Sequence, residues 1–175
     1  LTLADARSIT AAPTVEIYNH GCANGCDRPD GFGIADLLLT EGRKLTLIAT
    51  DDAHFYEPDH FGGWVMVKAT ENTPEALLSA LKRGDFYSSQ GPEIRDVRIE
   101  GDKAIVECSS ASSVIAIGWG TGARGVHGHS MTRAEVPLDR LLGSPWIRIS
   151  VIDAAGKRAW SNPIWREAGK NPRIL

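Results

Sequence analysis

Apolar and polar positions follow two different rhythms along the chain. From Thr14 to Asn19 the run Thr-Val-Glu-Ile-Tyr-Asn joins β-branched and aromatic residues, which suit a pleated, half-buried surface, and it predicts a strand. The glycine-rich polar stretch from His20 to Gly33 then predicts a long loop. Ile34, Leu37, Leu38 and Leu39 stand at near-helical spacing and stop at Gly42, so a helix is expected over 34–41. Leu45 to Thr50 is apolar with no charge, the pattern of a strand inside a parallel sheet covered by helices. Gly63 to Ala69 predicts a further strand. Thr73-Pro74-Glu75 supplies a cap and a first-turn proline for a helix carrying Ala76, Leu77, Leu78 and Leu81, and Gly84 stops it. Strand, helix, strand, strand, helix is the order of an α/β layer or barrel.

After Gly91-Pro92 the rhythm changes. Ile94 to Glu100, Lys103 to Cys108, Ser113 to Trp119, Met131 to Leu138, Trp146 to Asp153 and Lys157 to Trp165 are short strand candidates with turn residues between them. Gly101-Asp102 and Ala155-Gly156 fit hairpin turns. This half predicts a small antiparallel β-sandwich, with Trp119, Trp146, Trp160 and Trp165 as core or interface anchors. The expected organisation is an α/β part over 1–92, a β-sandwich-like domain over 93–167 and a tail over 168–175.

Composition narrows the partners. The chain has 175 residues, 42% of them hydrophobic, as in an ordinary globular protein. Its 19 Lys and Arg against 22 Asp and Glu give a net charge of -3, which offers no general attraction to nucleic-acid backbones or anionic membranes. No apolar run approaches the roughly 20 residues needed to span a bilayer, so no membrane partner is expected. Three cysteines, Cys22, Cys26 and Cys108, form no regular disulfide framework and favour a reducing compartment, the cytoplasm.

The most informative triplet is Asp52-Ala53-His54. In an extended segment residues i and i+2 point to one side, so a carboxylate and an imidazole reach the same ion, and this pairing suits zinc, manganese or iron. The triplet directly follows an apolar strand, where α/β folds usually assemble their sites. Glu16 and His20 share a face of the first predicted strand and are candidates for the wall of that site, with Glu16 equally readable as an acid that satisfies buried polar groups. Arg28, in the following loop, is a candidate contact for a substrate anion. Cys22 and Cys26 lack the second Cys or His pair of a zinc finger. His127-Gly128-His129 has the form of a ligand pair but lies in a glycine-rich connection, and it reads as an exposed loop.

Several blocks also carry a resemblance. Val15-Glu16-Ile17-Tyr18-Asn19-His20-Gly21-Cys22, Asp36-Leu37-Leu38, Gly42-Arg43 and Ala49-Thr50-Asp51-Asp52-Ala53-His54-Phe55 resemble successive blocks of the PHP (polymerase and histidinol phosphatase) metallohydrolases, in the branch related to carbaryl hydrolase. Phe61 to Val67, Thr73-Pro74-Glu75-Ala76, Phe86-Tyr87-Ser88-Ser89, Gly91-Pro92-Glu93-Ile94 and Ala159 to Trp165 continue it. The resemblance implies the C-terminal portion of a distorted seven-stranded βα barrel, followed by the sandwich, with Asp52 and His54 as the family's final metal ligands. Asp51, pointing to the other face, then reads as an acid that orients neighbouring groups. The implied activity is hydrolysis by a metal-activated water, acting on a small phosphate ester or on an ester or carbamate. The resemblance places the family's other ligands, among them a His-x-His pair, before Leu1. A homo-oligomer or a complementing N-terminal half is the partner that would complete such a site. The competing expectation is a non-catalytic binding module built on a remnant of the family.

Overall fold

Where the sequence supplies a start and a stop, helix forms between them. Thr73 accepts a hydrogen bond from the Ala76 N–H, Pro74 opens the helix, and Gly84 ends it in the left-handed region at φ 81°. The computed structural model describes residues 2–56 and 58–166. In chain order it contains α1 (Leu3–Ser8), β1 (Thr14–Asn19), α2 (His20–Cys26), α3 (Phe32–Thr40), β2 (Thr46–Thr50), β3 (Trp64–Val67), α4 (Pro74–Arg83), β4 (Phe86–Ser89), β5 (Ile94–Glu100), β6 (Lys103–Gly118), β7 (Ala123–Pro137), β8 (Trp146–Ile152), β9 (Arg158–Ser161) and β10 (Ile164–Trp165). The tail expected over 168–175 lies outside the described residues. No described helix is long and apolar enough to cross a membrane.

The molecule is mostly β, 43% strand against 21% helix, and its main body is one curled antiparallel sheet. The order is β3-β4-β9-β8-β6-β5, with β7 along β6 and β10 along β8. β6 makes the curl. Its first half, Lys103 to Cys108, pairs with β5 and β7, whereas its second half, Ser113 to Gly118, pairs with β8 and β7. Register shifts around Ala111 let one 16-residue strand turn from one set of neighbours to the other. Val97, Val106, Val114, Ile149 and Val151 fill the inside of the curl, each fully buried.

Among the described residues there is no portion of the expected seven-stranded βα barrel. β1 and β2 pair in parallel, running from Thr14↔Thr46 to Asn19↔Thr50. β3, expected to continue an α/β layer, pairs antiparallel with β4, a strand the sequence pattern did not predict, and β4 pairs with β9 in the large sheet. Side chains explain why the parallel pair stops at two. The outer edge of β2 gives its Leu47 N–H to Asn162 Oδ1 at 2.7 Å and its Ala49 N–H to Ser88 Oγ at 2.9 Å, and Leu47 C=O accepts from Ser88 Oγ at 2.9 Å. A third backbone ladder has no open partners there. On the other side, the Gly31 N–H reaches Ile17 C=O at 3.2 Å and the Asn19 N–H reaches Pro29 C=O at 3.1 Å, so part of the β1 edge is closed by the chain itself.

Where two sheets of a sandwich were expected, the described strands β3 to β10 belong to one curled sheet. Its outside holds the parallel pair and α3 through Trp160, which packs among Ile17, Ala35, Leu47 and Ala49. Arg148 reinforces this junction. Its guanidinium, only 6% exposed, meets Asp36 at 2.8 and 3.0 Å and stacks over the Phe32 ring at 4.1 Å.

Local expectations were corrected in three further places. The stretch from His20 begins with α2 instead of a loop, because the Asn19 side chain caps it by accepting from the Cys22 N–H. His127-Gly128-His129 belongs to β7, where pairing with β6 settles the backbone of a glycine-rich run; both histidines are exposed. Trp146 and Trp160 are core residues as expected, whereas Trp119 is 52% exposed on the turn after β6.

Candidate functional site

The C-terminal ends of β1 and β2 deliver their side chains to one place. A bulge at Ile17, where Glu16 pairs with Ile48 and Tyr18 with Ala49, changes the alternation of β1. Glu16 and Asn19, three residues apart, therefore meet at 3.2 Å. The same Asn19 amide donates to Asp52 Oδ2 at 3.1 Å, while its oxygen holds the Cys22 N–H at 2.7 Å. Asn19 is 7% exposed, so one buried amide ties β1, the start of α2 and the turn after β2 together. Glu16 in turn accepts from the Thr50 hydroxyl. It braces Asn19 and lies one side chain removed from Asp52.

The turn after β2 has an unusual backbone. Asp52, Phe55 and Phe61 take left-handed φ values of 53°, 62° and 60°. Such conformations cost non-glycine residues about 1–3 kcal/mol each and persist only where surroundings impose them. Asp51 imposes them from one end, since its carboxylate accepts the N–H groups of Phe61, Gly62 and Gly63 at 2.6, 2.8 and 2.8 Å. Burial pushes its pKa up, but these three donors outweigh burial and hold it below the ordinary value. Asp59 acts from the other end, accepting from His54 N–H at 2.7 Å and Phe55 N–H at 3.3 Å. Its carboxyl is lowered first by that His54 hydrogen bond.

Asp52 and His54 line one open cavity of about 380 Å³ together with Cys22, Cys26, Tyr56 and Asp59. His54 Nδ1 lies 3.8 Å from Asp59 Oδ2, and the His54 side chain is largely exposed. Burial first, then the neighbouring Cys26 and the carboxylates of Asp52 and Glu16, push the Cys22 thiol up. Tyr56, at 91% exposed, is the aromatic residue of the cavity's lining. Among the described residues, no three His, Cys, Asp or Glu side chains stand close enough together to hold a metal ion in their present rotamers.

The other expected residues divide. Asp51 accepts three loop N–H groups and does not line the cavity. His20 is not in the cavity: its Nδ1 pairs with the Tyr18 hydroxyl at 3.0 Å, its Nε2 with Asn24 at 3.2 Å, and its ring lies against Gly62. Arg28 is exposed beyond Asp27, which turns left-handed at φ 55°, and it does not line the cavity. Asn19 and Asp59 escaped the reading of the sequence. The capping role of Asn19 had a signal, an Asx residue directly before a polar run; Asp59, within a run of loop residues, had none.

No family model matches the chain, and neither a curated protein nor a solved structure is found similar to it.

Proposed function

We propose that this chain contributes to a metal-dependent hydrolase of the PHP type, acting on a small phosphate ester or a related ester, with Asp52 and His54 as its metal donors. The observation that carries the reading is the backbone of residues 51–56 and 58–63. Left-handed Asp52, Phe55 and Phe61 are held in place by two dedicated carboxylates, Asp51 and Asp59, around a cavity that Asp52 and His54 line. Strain retained at such cost is a mark of functional loops. The motif blocks that resemble PHP enzymes point to the same two residues.

The donors fit a divalent ion in kind, a carboxylate and an imidazole, each with an orienting partner: Asn19 for Asp52 and Asp59 for His54. When bound, zinc, manganese or iron would supply Lewis acidity, which lowers the pKa of water and stabilises charge on a phosphoryl or acyl oxygen. The chain's own contribution is positional. Asn19 fixes which oxygen of Asp52 faces the cavity, Asp59 holds the backbone of His54, and Tyr56 offers an aromatic wall for the organic part of a substrate.

The test compares the purified protein with an Asp52→Asn/His54→Ala variant. Metal content after dialysis and turnover of p-nitrophenyl phosphate and p-nitrophenyl acetate in added manganese or zinc are both measured. Metal and turnover lost together in the variant support the reading. Equal metal and turnover in both, or none in either, sinks it. The second outcome favours a binding module, a reading with one observation on its side: the lack of a three-donor cluster among the described residues.

A further inference from the structure

Far from the cavity, the large sheet has an edge of unusual length. β7 runs for 15 residues and pairs with β6 along one side only. A strand edge with unpaired N–H and C=O groups is a template for another strand.

The alternation of hydrogen bonds tells which groups that edge offers. Asp102 C=O accepts from the Leu138 N–H at 2.7 Å, so residue 138 turns its backbone toward β6. The register continues without a shift from Lys103↔Pro137 to Glu107↔Arg133, and antiparallel bonding alternates along it, so Val136 and Ala134 also bond to β6. Arg133, Glu135 and Pro137 turn their backbone groups the other way. Among the described residues, no other segment meets the backbone N–H or C=O of Arg133 or Glu135. Pro137 has no N–H, and on the outward side it costs no bond of the β6 ladder. Side chains alternate as well: Ala134 and Val136 are buried, whereas Arg133 and Glu135 are exposed.

We propose that this edge docks a second copy of the chain, through antiparallel pairing of β7 with β7 about a twofold axis at Ala134. In that register Arg133 stands opposite the partner's Glu135, the two residues exchange both backbone hydrogen bonds, and the symmetry repeats the exchange across the axis. Charge selects this register over its neighbours. An axis at Glu135 would set that carboxylate against its own copy, and an axis at Arg133 would do the same with the guanidinium; like charges directly opposite are destabilising. A slip of one residue would match outward groups on one copy with inward groups on the other. Within one copy Glu135 accepts from Arg133 at 2.7 Å and from Lys103 at 3.1 Å. Because Lys103 stays on Glu135, Arg133 can turn across the axis without leaving its own carboxylate uncompensated. The interface does not depend on the metal reading above, and it would join two curled sheets into one.

Sedimentation equilibrium from micromolar to millimolar protein tests the association, and hydrogen exchange of individual amides tests its place. The unaltered protein is expected to dimerise reversibly, with the Arg133 and Glu135 amides exchanging more slowly as the concentration rises. Arg133→Glu and Glu135→Arg, each shown by circular dichroism to be folded, should both be monomeric, since each sets like charges opposite one another. Mixed in equal amounts they should form a heterodimer, and the double variant Arg133→Glu/Glu135→Arg should recover the homodimer. A protein that stays monomeric throughout overturns the proposal. So does a dimer that persists in both single variants, which would use another edge such as that of β3 or β5, and so do single variants that dissociate yet fail to pair when mixed. Should a variant not fold, amide exchange of the unaltered protein decides: a dimer that leaves the Arg133 and Glu135 amides unprotected does not pair through this edge.

Discussion

Asp51 and Asp52 are neighbours in sequence with different surroundings. Asp51 gathers three backbone N–H groups, whereas Asp52 takes one amide from Asn19 and faces open cavity. The depressed pKa of Asp51 has a direct consequence for stability. Its folded value lies below the ordinary 3.8, so its contribution is complete above that value and fades as pH falls through 3.8 toward the folded value. The difference in thermal midpoint between the protein and Asp51→Asn should therefore be largest above about pH 5 and shrink toward pH 3; a constant difference across that range would contradict the three-donor account. Asp59 supports a different experiment. Asp59→Ala frees the His54 and Phe55 N–H groups, and zinc affinity should fall about 10- to 100-fold with the fold intact, as measured by competition with a chromogenic chelator. Asp52 and His54 do border one cavity, but not through the extended segment that their spacing suggested, since Asp52 is left-handed at φ 53°. The parts played by Asn19 and Asp59 were not legible, because they depend on a bulge at Ile17 and on left-handed turns that no residue pattern announces.

At the scale of elements, capped and punctuated segments were readable and pairing was not. α4 follows from Thr73, Pro74 and Gly84, and the hairpin between β5 and β6 follows from Gly101. The partners of β3 and β4 could not be read, since an apolar run does not state whether its neighbour is parallel or antiparallel. Met131 onward was read as strand, but the first half of β7 hid, because its glycines and histidines have poor strand propensity and the ladder with β6 overrides it. Two glycine substitutions separate close approach from open space. A Cβ on Gly31 would stand 2.1 Å from Glu16 C=O, where Gly31 seals the β1 edge, so Gly31→Ala should cost about 1–3 kcal/mol by urea denaturation. Gly25, inside α2 with nothing within 4 Å of a built Cβ, should accept alanine with no loss or a gain of up to about 1 kcal/mol. Equal effects at the two positions would remove the argument that backbone approach closes β1.

For the whole molecule, the junction between the parallel pair and the curled sheet replaces the barrel that the motif blocks suggested. Arg148 and Asp36 span it, and removing the carboxylate leaves a guanidinium that is 6% exposed without its partner. Asp36→Ala should destabilise by about 3 kcal/mol, the low end for a broken buried pair because the Asp36 side chain keeps 31% exposure. Denaturation of Asp36→Ala and of an Asp36→Ala/Arg148→Met double variant distinguishes a stranded charge from lost packing, since only the former is relieved in the double variant.

The same junction sets an order of assembly. Leu47 is secured by Asn162, 115 residues later, and Asp36 by Arg148, 112 residues later, so the strands that present Asp52 are made early and fastened late. Long-range closures of this kind are slow steps in folding. During synthesis β2 would meet Ser88 first and wait for its second clasp until β9 and Asn162 have emerged. A chain stopped short of Asn162 would carry every residue of the site and its local braces, Asn19, Asp51 and Asp59, on a strand whose Leu47 is not yet secured from that side.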